Sequence, residues 1–463
     1  MRIGFVSLGC PKNLVDSEVM IGLVKQAGHD ITADASSADV LVVNTCAFID
    51  SAKQESVDTI LELAELKKSG RCRRLVVTGC LAERYRGELQ QQIGDIDAVL
   101  GTGQVPDIVQ AVTALVPAPA GAAVPMRLFR TPPAGGAAPL PDYLYDADTP
   151  RTLVTPKHYA YIKVAEGCDY ACAFCIIPTL RGHYRSRTPQ SVLAEARHLA
   201  DQGVRELLLI SQDTTYFGVD RGERGALARL LRDLNRVDGI EWIRLLYLYP
   251  TTITDDMLGA MAESDKVCKY IDLPLQHAAP AVLRRMKRPG TGTTYRRLLE
   301  RVRVRVPGVA LRTTLIVGFP GETADEFATL ASFVQDVGFD HLGVFTYSHE
   351  EGTGAYALAD TVPPRVKRQR RAALMSAQKR LVRRAQRARV GERVRVMIDG
   401  PSPEHGLVLR GRLSTQAPDI DSCVYLTDAD PEASVPGSFA NGTIVGSREY
   451  DLVVRPLPAA DCE

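Results

Sequence analysis

Three short apolar runs in the first hundred residues each end close to a cysteine. The runs Ile3–Leu8, Val40–Asn44 and Leu75–Thr78 are rich in Val and Leu, as buried parallel strands are. Stretches of helical character separate them, which predicts a small doubly wound α/β domain. Ligands of such sheets bind at the carboxyl ends of the strands. We therefore expect three cysteines that are far apart in the sequence to meet at one sheet edge: Cys10, Cys46 and Cys80.

A second α/β series follows a segment, from Val116 to Pro141, that has the Pro/Ala/Gly composition of a linker. Six strand-like runs alternate with helical stretches, two βα units short of a closed eight-fold barrel. The pattern predicts a partial (βα)6 barrel whose open side admits a large substrate. The six runs are Tyr159–Ala165, Glu206–Ser211, Trp242–Leu248, Tyr270–Leu273, Ala310–Phe319 and His341–Tyr347.

The last hundred residues divide into a basic stretch and a short β-rich segment. Pro364–Val390 has good helix formers and a sparse apolar stripe, which predicts a connecting helix. Glu392–Leu457 is punctuated by Gly and Pro between short β runs, which predicts a small β-barrel. The predicted organisation is an N-terminal domain over 1–115, a linker over 116–152, a central domain over 153–388 and a β-barrel over 389–458.

Length and charge restrict the class of protein. A chain of 463 residues is too long for one core, and no apolar stretch is long enough to span a membrane. The first strand-like run begins almost at once, so we expect no signal peptide and a cytoplasmic location. In a reducing compartment, clustered cysteines are metal ligands or catalysts more often than disulfides.

A second set of cysteines, Cys168, Cys172 and Cys175, follows the first strand of the predicted barrel. A four-iron cluster normally has four thiolate ligands, so three cysteines leave one iron open to another molecule. Open metal positions are typical of catalytic sites. A zinc site with His158 or His183 as the fourth ligand is the alternative, although zinc cysteines usually come as paired C-x-x-C elements.

The pattern C-x-x-x-C-x-x-C after a first strand resembles that of the radical S-adenosylmethionine enzymes. The resemblance implies that S-adenosylmethionine binds the open iron and is cleaved to a 5′-deoxyadenosyl radical. Phe174 occupies the aromatic position that precedes the third cysteine. Gly318 and Gly321 match a later motif near the adenosine, or are simply a strand-to-helix turn. Gln212 and Arg312, at or near strand ends, are further candidate contacts to the cofactor.

The contexts of the first three cysteines resemble the N-terminal domain of the methylthiotransferases. These contexts are LGCPKNLVDSE around Cys10, VNTCAFI around Cys46 and VTGCL around Cys80. The resemblance implies a second 4Fe–4S cluster on these cysteines, whose open iron binds the sulfur to be donated. It also implies that the C-terminal segment is a TRAM domain and that one S-adenosylmethionine donates a methyl group while another supplies the radical. No catalytic side chain is separable from the cluster ligands.

Two branches of that family differ in substrate. The motif around Cys10, together with TPKHYAYIK before the radical motif and YSHEEGT after Phe345, resembles the branch that modifies the β-carbon of an aspartate in the twelfth small-subunit ribosomal protein. The alternative branch modifies an adenosine of transfer RNA. A different class, a non-catalytic ribosome-binding or iron-sensing protein with structural clusters, would also bind iron. An electron-donor protein is the further expected partner, and no membrane is expected.

Charge favours the ribosomal-protein branch. Residues 396–463 contain four arginines, no lysine and eleven acidic residues, which suits a basic protein better than a phosphate backbone. The acidic residues expected to lie close together are Asp419, Asp421, Asp428, Asp430 and Glu432. The stretch 365–395, with thirteen Lys or Arg and one acidic residue, is a solvated connector or an RNA contact. The remaining cysteines are expected not to bind metal: Cys72, in a basic run predicted to be exposed, and Cys268, Cys423 and Cys462.

Overall fold

The computed structural model describes residues 1–114, 139–404, 406, 408–429 and 434–457. They form two compact units. Unit 1 comprises Met1–Val154, Ala165–Arg187 and Glu350–Thr353. Unit 2 comprises Thr155–Val164, Thr188–His349 and Gly354–Glu463. Within the described ranges, no helix has both the length and the apolar character needed to cross a membrane.

Unit 1 contains a five-stranded parallel sheet of order β2-β1-β3-β4-β5. Because β2 and β3 lie on opposite sides of β1, the sheet has a topological switch point between β1 and β3. This confirms the predicted doubly wound domain. The strands are β1 (Arg2–Ser7), β2 (Asp30–Thr32), β3 (Val40–Thr45), β4 (Arg74–Gly79) and β5 (Ala98–Leu100), and the helices are α1 (Pro11–Gln26), α2 (Asp50–Ser69), α3 (Cys80–Arg84), α4 (Arg86–Gln92) and α5 (Ile108–Thr113).

The segment with the second cysteine set also belongs to unit 1. It contains two short antiparallel strands, β7 (Ala165–Glu166) and β8 (Arg185–Ser186), and between them helix α6 (Ile177–Arg181). Ile176 and Leu180 are buried in the same apolar cluster as β3 and β4. The loop that carries Cys168, Cys172 and Cys175 is therefore anchored on the N-terminal sheet.

Part of the predicted linker is packed rather than free. Residues 116–138 lie outside the described residues, but Tyr145 is buried and stacks under Arg187, with the guanidinium carbon 4.4 Å from the ring centre. Arg151 pairs with Glu18 of α1 at 2.5 Å between Nη2 and Oε2. The predicted domain boundaries stay a prediction.

Unit 2 contains the partial barrel and the β-barrel. Two three-stranded parallel sheets, of order β10-β9-β6 and β11-β12-β13, are joined by a bridge between Ile243 and Val267. The six barrel strands are β6 (Tyr159–Lys163), β9 (Glu206–Ile210), β10 (Trp242–Leu245), β11 (Tyr270–Asp272), β12 (Ala310–Val317) and β13 (His341–Thr346), and the helices are α7 (Pro189–Asp201), α8 (Ala226–Leu234), α9 (Asp255–Glu263), α10 (Pro280–Arg285), α11 (Gly292–Arg305) and α12 (Ala324–Val337).

The long helix α13 (Pro364–Ala388) connects this barrel to a closed five-stranded β-barrel of order β14-β15-β16-β18-β17. Apolar side chains from all five strands fill its interior, Val396, Val424, Ile444 and Val454 among them. Both elements confirm the predicted fold class. The strands are β14 (Arg393–Pro401), β15 (Leu409–Arg412), β16 (Val424–Leu426), β17 (Phe439–Arg448) and β18 (Asp451–Pro456).

The described members of the acidic group, Asp419, Asp421 and Asp428, lie in different environments. Asp421 is 1% exposed in its side chain, accepts a hydrogen bond from the Tyr270 hydroxyl at 2.6 Å and pairs with Arg312 at 3.2 Å. Asp419 accepts a hydrogen bond from the Tyr159 hydroxyl at 3.0 Å. Asp428 is exposed, whereas Asp430 and Glu432 lie outside the described residues. The expectation that these carboxylates together attract a basic partner is wrong for Asp421, which belongs to the interior.

Candidate iron–sulfur site

Each of the first three cysteines lies just after the carboxyl end of a parallel strand of unit 1. Cys10 caps the start of α1, Cys46 directly follows β3, and Cys80 is the first residue of α3 after β4. Cys10 and Cys46 therefore flank the switch point between β1 and β3, where α/β sheets of this order bind their ligands. The amide oxygen of Asn13, three residues after Cys10, lies 3.7 Å from the Cys80 Sγ, so the segments of Cys10 and Cys80 meet at this edge of the sheet. A shared cluster on the three thiols stays a prediction.

Two glycines allow the close approach. Gly9 has φ +87°, and a Cβ on it would lie 2.7 Å from the Cys46 Cβ and 3.0 Å from its Sγ. Gly79 has φ +93°, and a Cβ there would collide with the Asn44 side chain and the Thr45 carbonyl. Only glycine combines this conformation with the absence of a side chain. The Gly-Cys pairs in the sequence are thus a geometric requirement of the site.

Polar groups hold the cysteine loops in place. The Asn13 amide donates hydrogen bonds to the carbonyls of Leu8, at 3.1 Å, and Thr45, at 2.8 Å. The Cys46 N–H donates to Ser56 Oγ at 3.0 Å, and that hydroxyl donates to the Cys46 carbonyl at 2.9 Å. The loops after β1 and β3 are therefore fixed by side chains from helices α1 and α2.

Burial opposes the ionisation of two of these thiols, those of Cys46 and Cys80. It raises the pKa of Cys80 to about 12, and it also raises the pKa of Cys46. A buried thiol still loses its proton when a metal binds it, because the metal cation stabilises the thiolate in place of the missing water. Three converging thiols, two of them buried, fit the ligand set of an iron–sulfur cluster.

The second cysteine set is more accessible. Cys168, Cys172 and Cys175 are partly exposed, as is Phe174 beside them. The Cys168 N–H donates to the Gly182 carbonyl at 3.1 Å, and the Cys175 N–H donates to the Cys172 carbonyl at 3.1 Å. Gly167, with φ +86°, lies against the His183 backbone where no Cβ would fit. A tight loop with half-exposed thiols suits a cluster that must also bind a cofactor molecule.

Arg181 lies next to Cys80 and pairs with Glu166, two residues before Cys168, although no sequence pattern singled it out. Its guanidinium donates to Asp16 at 2.8 Å, to Glu166 at 2.9 Å and to the Asn13 side chain, and Nη2 is 3.6 Å from the Cys80 Sγ. Burial opposes its charge, but Glu166, Cys80 and Asp16 outweigh that effect and hold the pKa of Arg181 well above its usual value. Asn13 and Asp16 lie within the motif that follows Cys10, which was the available signal in the sequence.

The predicted contacts to S-adenosylmethionine lie in unit 2, apart from Phe174. Gln212 follows the carboxyl end of β9, and Gly318 follows that of β12 with φ +76°. A Cβ on Gly318 would overlap the Lys367 side chain, which is one reason for the glycine. Gln212, Gly318 and Gly321 stay predictions.

The expectation for Arg312 is not supported. Arg312 is the third residue of β12, at the opposite end of the strand from Gly318. Its guanidinium pairs with Asp272 at 2.9 Å and with Asp421 at 3.2 Å. We therefore correct its role to that of a buried ion-pair partner within unit 2.

Other candidate ligands have different partners. The His158 imidazole bonds Asp399 at 2.9 Å, and the exposed His183 bonds Asp169 at 2.8 Å. Among the described residues, no group of three His, Cys, Asp or Glu side chains is arranged to hold a single metal ion. Cys72 is buried, contrary to the expectation of exposure, with its Sγ 3.2 Å from the Arg74 carbonyl. Cys268 is also buried, Cys423 is half-buried, and Cys462 lies outside the described residues.

Comparison with known proteins finds three family models along the chain. The uncharacterized protein family UPF0004 matches residues 2–101, the radical SAM superfamily matches 162–334, and the TRAM domain matches 390–456. A solved structure of the radical S-adenosylmethionine methyltransferase TsrM from Kitasatospora setae, with cobalamin and a [4Fe-4S] cluster bound, has a TM-score of 0.54 at 17% identity. The match covers 74% of each chain and concerns the fold. The chain is thus a radical SAM enzyme, a class that uses an iron–sulfur cluster and S-adenosylmethionine.

Full-length relatives define the family more narrowly. The ribosomal protein uS12 methylthiotransferase RimO of Koribacter versatilis is 48% identical, covering 98% of this chain and 96% of that protein. The proteins of the same name from Solibacter usitatus and Trichlorobacter lovleyi are 47% and 46% identical, covering 98% of this chain and 94% and 98% of theirs. The chain belongs to the uS12 methylthiotransferase family of radical SAM methylthiotransferases.

Proposed function

We propose that this enzyme methylthiolates ribosomal protein uS12 at the β-carbon of an aspartate, in the cytoplasm and with an electron-donor protein. The observation that carries the proposal is the presence of both cysteine sets in unit 1, where Arg181 contacts Cys80 and also Glu166, two residues before Cys168. A methylthiotransferase needs a site that makes a radical and a site that holds the sulfur group. One unit with two such sets meets both needs.

Two 4Fe–4S clusters are part of the proposal. Cys168, Cys172 and Cys175 hold the cluster that binds S-adenosylmethionine, and Cys10, Cys46 and Cys80 hold the second. When bound, these cofactors supply a methyl group, sulfur and one-electron chemistry that can break an unactivated C–H bond. The proposed organisation along the chain is an N-terminal domain over 1–115, a central domain over 153–388 and a β-barrel over 389–458.

The protein's own residues position and shield these groups. The burial of Cys46 and Cys80 keeps water from the sulfur-carrying site, whereas the partly exposed second set leaves room for a cofactor. Ser56 and Asn13 fix the backbone around Cys46 and Cys10. The chemistry requires no general acid or base, so the enzyme contributes position and exclusion of water.

Mass spectrometry of ribosomal proteins from cells with and without this chain tests the substrate. We expect uS12 alone to lose a mass of roughly 46 Da, the difference between SCH3 and H, when the chain is absent. Fragmentation should locate the added mass on the β-carbon of an aspartate. An unchanged uS12 together with loss of a methylthio group from transfer RNA adenosine would replace this proposal by the tRNA alternative.

A cysteine variant tests the cofactor assignment. Cys172→Ala should keep roughly half of the iron and lose cleavage of S-adenosylmethionine, because only one cluster is removed. Cys72→Ala, a buried cysteine of the same unit with no proposed metal role, should keep both. S-adenosylmethionine cleavage at the wild-type rate in Cys172→Ala would contradict the assignment.

A further inference from the structure

The Arg181 guanidinium is a buried cation that contacts the Cys80 sulfur and the carboxylate of Glu166, two residues before Cys168. Its side chain is 3% exposed, and those of Asp16 and Glu166 are 7% and 4% exposed. Charges this deeply buried persist only when they are paired and hydrogen-bonded. Two carboxylates, one amide oxygen and one sulfur surround the guanidinium.

The partners of Arg181 come from three different segments of unit 1. Asn13 and Asp16 are on α1, immediately after Cys10, and Cys80 begins α3. Glu166 ends β7, two residues before Cys168. Arg181 itself is the last residue of α6, six residues after Cys175. The Arg181 guanidinium thus links the segment that follows Cys10, the Cys80 sulfur and the strand that precedes Cys168.

The charge of the Arg181 guanidinium affects the cluster proposed on Cys10, Cys46 and Cys80. Arg181, Asp16 and Glu166 together carry one net negative charge, and without Arg181 they would carry two. The reduction potential of an iron–sulfur cluster depends on hydrogen bonds to its sulfurs and on the net charge nearby. A cation beside the Cys80 sulfur favours the electron-rich, reduced form.

We infer that Arg181 is a positioning residue that orients Cys80 against the radical-forming loop and raises the reduction potential of the cluster held by Cys10, Cys46 and Cys80. This inference rests on the proposed function, because it requires a second cluster. Arg181 is suited to the role because its fork reaches several acceptors at once, which the single ammonium of a lysine does not.

The test uses full-length protein in which only Cys10, Cys46 and Cys80 can bind a cluster. In the variant Cys168→Ala/Cys172→Ala/Cys175→Ala, we expect about four irons per chain and an electron paramagnetic resonance signal on reduction. Adding Arg181→Met should lower the midpoint potential of that signal and change its line shape. Adding Arg181→Lys, which keeps the charge, should give a smaller shift in the same direction.

Two matched measurements make the test specific. Arg151→Met removes another buried arginine of unit 1, whose partner is Glu18, and should leave the potential unchanged. In the reciprocal variant Cys10→Ala/Cys46→Ala/Cys80→Ala, Arg181→Met should shift the remaining cluster less. Equal shifts in the midpoint potentials of the two clusters would overturn the inference. They would show that Arg181 acts as a distant charge on both clusters and not through its contact with Cys80.

The outcomes separate this inference from the proposed function. If the protein that lacks Cys168, Cys172 and Cys175 binds no iron, the proposal of two clusters fails, and the inference about Arg181 fails with it. If that protein binds four irons and neither Arg181 variant moves the potential, the inference alone fails. Should Arg181→Met not fold, the Arg181→Lys variant decides the test. An unchanged midpoint potential and line shape in that variant would overturn the role proposed for the Arg181 guanidinium.

Discussion

At Gly79 the chain leaves β4 in a conformation that L side chains rarely adopt, and the next residue is a proposed cluster ligand. The backbone there passes so close to Asn44 and Thr45 that a Cβ would overlap both. A similar constraint at Gly9 brings the loop of Cys10 against Cys46. The positions of the sulfur atoms thus depend on residues that carry no chemistry of their own.

We therefore expect Gly79→Ala to lose roughly half of its bound iron, because Cys80 would be displaced. The left-handed backbone and the overlap should also lower the free energy of unfolding by about 1–3 kcal/mol. Iron analysis and urea unfolding of the reconstituted protein measure the two effects. Gly87→Ala is the control, since a Cβ there meets nothing within 4 Å and the residue lies in helix α4. Full iron content in Gly79→Ala would contradict the argument.

Among the elements, α13 combines a packed side with a strongly basic exposed side. Leu374, Ala377 and Gln378 are buried, and Gln378 donates to the Phe339 carbonyl at 2.7 Å. Arg380, Arg384 and Arg387 are exposed at helical spacing on the other side. The sequence predicted the helix from its composition, but only the structure separates arginines that pack from those that face solvent.

The exposed arginines are candidates for an RNA contact, which is one of the two interpretations of 365–395, the other being a solvated connector. We expect Arg384→Gln/Arg387→Gln to weaken binding to small ribosomal subunits and to reduce its salt dependence, because fewer phosphate contacts release fewer counterions. The charge-matched control is Arg197→Gln/Arg297→Gln, which removes two exposed arginines from α7 and α11. Equal binding by the two double variants, measured over a range of salt, would instead identify α13 as a solvated connector.

Across the whole of unit 2, buried charges join the partial barrel to the C-terminal β-barrel. Glu206 of β9 pairs with Arg412 of β15 at 2.6 Å, and Arg412 also pairs with Asp399 at 2.9 Å. Arg312 of β12 pairs with Asp421 at 3.2 Å. Removing one partner of such a pair leaves an uncompensated buried charge, which is strongly destabilising.

We expect Asp421→Asn to lower the free energy of unfolding by about 3 kcal/mol, because Arg312 would lose one of its two carboxylates. Denaturant unfolding of the full chain measures the change. Asp428→Asn, in an exposed pair with Arg455, should change stability by less than about 0.5 kcal/mol. A similar small effect for both variants would show that Asp421 is not needed to hold the two barrels together.

The Asp399 carboxyl should contribute to the acid sensitivity of unit 2. Burial raises its pKa, but the hydrogen bond with His158 and the charge of Arg412 outweigh burial and hold it below its ordinary value. Its contribution to stability is therefore complete above the unfolded pKa of about 3.9 and is lost as the pH falls through the lower folded value. Asp399→Asn should be less stable than wild type at neutral pH, and urea unfolding should show that difference shrinking below about pH 4. Parallel stability curves for the two proteins would contradict this.

The sequence predicted the candidate cysteines better than it predicted the residues around them. Spacing alone identified Cys168, Cys172 and Cys175, and strand ends identified Cys10, Cys46 and Cys80, because parallel strands bring their carboxyl ends together. Three partners of Arg181, namely Asn13, Asp16 and Cys80, could not be predicted, since contacts between residues more than a hundred positions apart leave no periodic signal. For the same reason the sequence grouped Asp421 with the other acidic residues of a module suited to a basic partner and assigned Arg312 to the cofactor, whereas these two residues pair with each other.

The sequence by itself determined the alternation of strands and helices, the six candidate cluster ligands and the resemblance to methylthiotransferases, because local periodicity and motif spacing are properties of neighbouring residues. Only the tertiary structure decided which charges are buried together. It put Arg181 beside Cys80 and between Asp16 and Glu166, and it turned Asp421 inward. The physical reason is that a charge removed from water must find its partner in space, and the fold brings that partner from a distant part of the chain.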